Sequence, residues 1–169
     1  DKSTGLTEDD KEDVAEKIGI GAVKYFELSQ SRVSDYIFSW DKMLALQGNT
    51  APYMINAYVR TRSIFRKIGG DFDVSSDTLS ITDDSERAIA IKLCQYSEIV
   101  PEVMNDYRPN LLATYLYELA QAFHSFYEQC PVLSSEGSTR HTRLALCDST
   151  SKVLKHGLNL LGIYPPDKM

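Results

Sequence analysis

The stretch Leu46-Gln47-Gly48-Asn49-Thr50-Ala51-Pro52-Tyr53-Met54-Ile55-Asn56-Ala57-Tyr58-Val59-Arg60-Thr61-Arg62-Ser63-Ile64-Phe65-Arg66 decides the fold of this 169-residue chain. A glycine-centred polar turn at Gly48-Asn49-Thr50 runs directly into a helix signal. Pro52 suits the first helical turn, where a missing N–H costs nothing, and Asn49 or Thr50 supplies a capping oxygen. Met54, Ala57, Tyr58, Thr61, Ile64, Phe65 and Ile68 recur at three- and four-residue steps and predict a buried apolar stripe. Tyr53, Asn56, Arg60, Ser63 and Lys67 recur at the same steps on another face, with Arg62 and Arg66 beside them. Aromatic, amide and guanidinium groups on one cationic edge suit stacking on bases and contact with phosphates. The plainer alternative is a solvated face, because cations near a helix C-terminus complement its dipole.

Outward from this stretch the chain reads as all-α. Thr7 caps a first helix with Glu8, Asp9 and Asp10 in its first turn, and Gly19 or Gly21 is expected to interrupt it before a second short helix over residues 22–29. Tyr36-Ile37-Phe38-Ser39-Trp40, rich in aromatic and β-branched residues, reads as extended or as a buried connector. Gly69-Gly70 stops the central helix and opens an acidic, serine-rich loop over 69–84. Helices follow at about 85–96, at 100–107 starting near Pro101, from Pro109 until Pro131, and at about 142–161, where Gly162 ends the last one. Residues 134–138 read as a loop, and Gly157 as a point of close helix packing. No repeat of 20–50 residues occurs.

Composition bounds the function. A hydrophobic content of 43% over this length supports one domain with a real core. No apolar run is long enough to span a membrane, and the acidic N-terminal residues lack the order of a secretory signal. Cys94, Cys130 and Cys147 show no paired spacing, sit at expected helix-core positions and read as buried reduced thiols of a cytoplasmic protein. The net charge of −6 is unevenly spread: residues 1–19 carry −4 and residues 71–86 carry −6, leaving +4 on the remainder, so RNA is not excluded. His124, His141 and His156 have no metal-ligand spacing, His124 reads as a hydrogen-bonded core-edge side chain, and no nucleophile elbow, Walker loop or dinucleotide fingerprint is present. The expected catalytic residues and metal ligands are therefore none.

Gly48-Asn49-Thr50-Ala51-Pro52-Tyr53, followed by Ala57-Tyr58-Val59-Arg60 and Arg62-Ser63, resembles the helix that opens the anticodon-binding domain of arginyl-tRNA synthetases. Gly21-Ala22-Val23-Lys24-Tyr25, Asp35-Tyr36-Ile37-Phe38 and Trp40-Asp41-Lys42-Met43-Leu44 resemble the segment joining that family's catalytic region to its helical bundle. Thr142-Arg143-Leu144-Ala145-Leu146-Cys147, Lys152-Val153-Leu154, Gly157-Leu158, Leu160-Leu161-Gly162-Ile163 and Pro166 resemble its last helix and tail, which ends at a methionine as Met169 does here. Arg143-Leu144-Ala145-Leu146 stands where such bundles carry an Asp-Ala-Leu-Arg-type motif, in degenerate form. In all, the resemblance covers residues 18–68, 86–130 and 140–169.

The resemblance implies the anticodon-binding helical bundle of class Ia synthetases over 46–169, with 1–45 as a connecting helical segment. It implies tRNA(Arg) as partner, the rest of the synthetase chain as neighbour and a monomer as the working state. ATP and magnesium are expected for the full-length enzyme and no cofactor for this piece, which is expected to be non-catalytic alone. Position by position, Gly48 and Asn49 match the loop shaping the anticodon pocket, Tyr53 and Tyr127 match aromatic rings at that pocket, Arg60 matches a residue near the anticodon-loop backbone, and Met169 matches the terminal methionine beside it. A helical protein-interaction module and the bundle of another class I synthetase, such as the cysteinyl type, are the alternatives.

Overall fold

A computed structural model describes residues 6–70 and 79–169, and every regular element among them is a helix. The helices are α1 (Glu8–Ser29), α2 (Trp40–Met43), α3 (Ala51–Ile68), α4 (Asp84–Cys94), α5 (Tyr96–Asp106), α6 (Pro109–Gln129) and α7 (Gly137–Leu160). Helix α6 is the centre of the bundle and packs against α1, α3, α4, α5 and α7. Its apolar residues Leu112, Leu116, Leu119, Phe123 and Phe126 are buried, as the periodicity of the sequence requires.

The central stretch folds as read. Thr50 is the N-cap of α3: its Oγ1 accepts from the Tyr53 N–H at 3.4 Å and donates to the Ala45 carbonyl at 2.7 Å. Gly69 ends the helix in the left-handed conformation at φ 92°. Met54, Ala57, Tyr58, Thr61, Ile64 and Phe65 are buried. Thr7 likewise caps α1 through a capping box with Asp10.

Several expectations are corrected. Helix α1 continues unbroken through Gly19 and Gly21 to Ser29. A glycine costs a helix about 1 kcal/mol, but a Cβ on Gly21 would come 3.0 Å from Ile163 Cγ2, so here the residue permits close approach of the tail. Burial of Ala22 and Tyr25 carries the helix across it. Residues 35–39 form neither a strand nor a buried connector. Ile37 is 89% exposed, and Phe26, Tyr36, Phe38 and Trp40 stack edge to face at centroid distances of 5.0–5.5 Å. Among the described residues no strand pairs with the segment, and its Ser39 carbonyl accepts from the Met43 N–H at 3.0 Å as α2 begins.

Helix α5 starts at Tyr96, a turn before Pro101, because Tyr96 anchors it by a ring contact with Tyr115 and a 2.6 Å hydrogen bond to His156 Nδ1. The last helix starts at Gly137, inside the expected loop, without a capping side chain that would have announced it. Of the expected 69–84 loop, residues 71–78 lie outside the described ones, and α4 already begins at Asp84. Cys94 is exposed, contrary to expectation, because its helix turns that edge outward. Cys130 and Cys147 are buried, and burial is the first cause that pushes their thiols up, to about 11 and about 12.

Gly157 fixes the approach of α7 to α6: a Cβ there would meet Leu116 Cδ2 at 2.6 Å. Leu116 is fully buried and cannot swing away freely. Gly157→Ala is therefore expected to lower stability in urea unfolding by about 1 kcal/mol, overpacking outweighing the gain in helix propensity.

A buried ion pair clamps α4 to α7. Glu86, with no exposed surface, accepts from Arg143 Nε at 2.6 Å and from the Thr82 and Asp83 N–H groups at 2.9 and 3.2 Å. Burial raises the Glu86 carboxyl, but the hydrogen bond from Arg143, the two N–H donors and the guanidinium charge outweigh it and hold the group below its ordinary value of 4.5. A carboxyl lowered in the folded state adds stability that is complete above its unfolded value and lost as pH falls through the folded one. Urea midpoints measured from pH 6 down to 3 are thus expected to fall, and to fall less steeply in Glu86→Gln.

Candidate nucleic-acid interface

A groove of about 480 Å³ opens between the first three turns of α3 and residues 117–128 of α6. The turn before α3 contributes Leu46, Gln47 and Gly48, α3 contributes Tyr53, Asn56 and Arg60, and α6 contributes Tyr117, His124 and Glu128. Gly48 makes the turn tight: its φ is 85°, and its carbonyl accepts from the Thr50 N–H at 2.9 Å. Asn49 is pinned beside it, its Oδ1 2.6 Å from the buried Tyr25 hydroxyl, which also lies 2.8 Å from the Ala113 carbonyl of α6. One phenol thus ties α1, the turn and the central helix together.

Tyr53 and Arg60 lie seven residues apart, two turns of helix, and share the groove face. The Tyr53 ring is half-buried, 4.9 Å from the His124 ring and 5.6 Å from the Tyr117 ring. Burial first, then the neighbouring Tyr117 phenol and the Glu128 carboxylate, raise its phenol, so the ring is neutral near pH 7. Arg60 places its guanidinium carbon 5.3 Å above the Tyr127 ring, with Nη1 3.4 Å from His124 Nδ1. Tyr127 in turn rests on buried Phe123, ring centres 5.9 Å apart. The groove therefore offers a partly exposed aromatic face, amide and carboxylate groups, and a cation held between two rings. Such a surface can stack an unpaired base and meet its polar edge or phosphate.

The arginines beside Arg60 in sequence do not share this face. Arg62 stands nine residues from Tyr53, two and a half turns, and so lies on the opposite side of α3. There Asp167 takes the Tyr58 hydroxyl and stands 3.9 Å from Arg62 Nε, while Arg66 Nη1 donates to the Asp167 carbonyl at 2.6 Å. These contacts strap the tail to α3. Met169, two residues beyond and 38% exposed, lines neither the groove nor the adjoining depression at Tyr127.

Tyr117, His124 and Glu128 were not singled out as site residues from sequence. Their spacing of seven and four residues puts a ring, an imidazole and a carboxylate on one face of α6, which is the signal that could have found them. Among the described residues no group of three or more His, Cys, Asp or Glu could hold a metal ion, and no helix is long and apolar enough to cross a membrane.

Residues 54–169 match the family described as the DALR anticodon binding domain, and residues 1–40 match the class I (R) tRNA synthetase catalytic domain. The chain is 51% identical over 164 residues to the arginine–tRNA ligase of a Synechocystis strain, covering 96% of this chain and 28% of that protein. It is 51% identical over 175 residues to that of Haemophilus influenzae, covering 100% of this chain and 30% of that protein. The fold superposes on Thermus thermophilus arginyl-tRNA synthetase with a TM-score of 0.88 at 32% identity, over 95% of this chain and 28% of that one. For the Plasmodium falciparum arginyl-tRNA synthetase the values are 0.81 and 36%, over 93% and 28%. The chain thus spans somewhat under a third of the curated relatives it matches. A family match over more than half of its length, carried on an all-helical bundle with an aromatic and cationic groove, means that the chain belongs to the DALR anticodon-binding domain family of arginyl-tRNA synthetases.

Proposed function

We propose that this chain is the anticodon-reading part of an arginine–tRNA ligase and that the α3–α6 groove receives the anticodon loop of tRNA(Arg). The observation that carries this reading is the gathering of Tyr53, Arg60 and the Gly48 turn around one groove, with Tyr127 under the Arg60 guanidinium. Anticodon bases are unpaired, so they can be splayed onto tyrosine faces and read along their edges. Tyr53 and Tyr127 stack bases, Arg60 contacts the loop backbone, and Gly48 and Asn49 present backbone groups to a base edge. Met169 enters the set on the resemblance, supported by the Asp167 strap that fixes the tail two residues earlier.

The whole ligase attaches arginine to tRNA(Arg) at the expense of ATP, works as a cytoplasmic monomer and keeps its ATP and magnesium chemistry in a catalytic region of the same chain. Residues 1–45 connect that region to the bundle at 46–169. The exposed rings of Tyr36, Phe38 and Trp40, stacked on the partly buried Phe26, support a face that meets it. The test is binding of the full-length ligase to an arginine tRNA transcript and to one with a changed anticodon. Tyr127→Ala is expected to weaken the first more than the second. Equal losses, or an affinity that ignores salt, would favour a protein-interaction module instead.

A further inference from the structure

The groove contains a histidine with an unusual pair of contacts. His124 sits on α6 one turn before Tyr127, with its ring 4.9 Å from Tyr53 and its Nδ1 3.4 Å from Arg60 Nη1. We propose that His124 is a positioning residue for anticodon recognition: its Nδ1 accepts from Arg60 and holds the guanidinium over Tyr127, where the RNA loop meets it. This rests on the reading of the groove as the anticodon site.

Arginine can only donate, so Nδ1 must be the acceptor and the proton must sit on Nε2. Nε2 is buried and finds no hydrogen-bond partner among the described residues. A buried donor left unpaired costs stability, so packing alone would favour phenylalanine at this place. The ring must also be neutral, since an imidazolium would repel Arg60. Burial first, then the Arg60 charge, lower its pKa below 6.5 against the opposing pull of Glu128. Without the acceptor, nothing described on α6 fixes the direction of the guanidinium, because its remaining contact is a non-directional one with the Tyr127 ring.

The test uses the full-length ligase and compares affinities for an arginine tRNA transcript and for one with a changed anticodon. His124→Phe keeps a ring against Tyr53 and removes the acceptor. A loop backbone that Arg60 no longer holds in place withdraws the correct bases from the groups that read them, so the variant is expected to reduce the ratio of the two affinities roughly tenfold, the size of a contact-level coupling, while the thermal midpoint stays level or rises. In an Arg60→Ala background the same substitution is expected to change the ratio no further. An unchanged ratio in His124→Phe overturns the proposal, and so does a loss that persists undiminished without Arg60, since that would mark a merely structural role. Tyr53→Ala, measured alongside, separates the two levels. If it discriminates and His124→Phe does not, only the role of His124 falls; if Tyr53→Ala leaves both RNAs alike, the anticodon reading falls with it.

Discussion

Arg143→Ala is expected to lower the unfolding free energy by about 3–5 kcal/mol, the usual cost of stripping one partner from a buried pair. The Arg143 side chain is 13% exposed and that of Glu86 not at all, so truncation leaves a carboxylate inside the protein with two N–H donors and the Thr82 hydroxyl but no countercharge beside it. The loss extends beyond Glu86. Arg143 Nη1 also donates to the Pro131 carbonyl at 3.0 Å and to Ser135 Oγ at 2.8 Å, fixing the link between α6 and α7. One guanidinium therefore fastens α4, α7 and the loop at the end of α6. Arg143→Lys keeps the charge but has no planar fork to reach all three acceptors, and it should recover only part of the stability. Urea unfolding followed by circular dichroism measures both. This is where the degenerate Asp-Ala-Leu-Arg-type motif acquires a physical meaning: its arginine is a structural clamp on α7 and lines no part of the α3–α6 groove.

Tyr53→Ala is expected to weaken the proposed binding of tRNA(Arg) by about 1–3 kcal/mol, the value of one base–aromatic stack, or roughly fivefold to 150-fold. The ring is supported from two sides, by His124 and Tyr117, and so is already oriented before RNA arrives. Little conformational entropy is then lost on binding, which places the effect toward the upper part of that range. A transcript with a changed anticodon should lose less, because in the proposed reading the contact that disappears is one made to the anticodon. Arg62→Ala supplies the contrast. Its side chain lies on the far side of α3 beside Asp167, so it should affect the two RNAs equally. Filter-binding or fluorescence titrations at one fixed salt concentration measure all three, since phosphate contacts are salt-dependent.

How much of this was legible in sequence depended on whether the signal was local. Thr50 with Pro52, and Pro109 with its long apolar period, fix α3 and α6, because capping and proline geometry act within a single turn. Gly21 misled, since a glycine in a helix reads as a break unless the Ile163 that it admits is known. Ile163 lies 142 residues away in sequence, and no local pattern reports it. Cys94 misled in the same way: its apolar period was right, but which edge of α4 faces the core is decided by α6 and α7.

The site divides along similar lines. Tyr53 and Arg60 were readable as one face because two turns separate them, and the resemblance named Tyr127. Arg62 and Arg66 looked like neighbours of Arg60, yet 100° per residue carries them to the tail. His124 looked like an ordinary core-edge side chain, and its role depends on a contact with a residue 64 positions earlier.

The most direct measurement is chemical-shift mapping of this 169-residue chain against an anticodon stem-loop RNA of arginine specificity. Backbone amides of Gly48, Asn49, Tyr53, Arg60, His124 and Tyr127 should shift together along one binding curve, with a stem-loop of changed anticodon giving smaller shifts. Shifts centred instead on the depression beside α5, at Lys92, Glu98 and Tyr115, with the α3–α6 groove silent, would contradict the account.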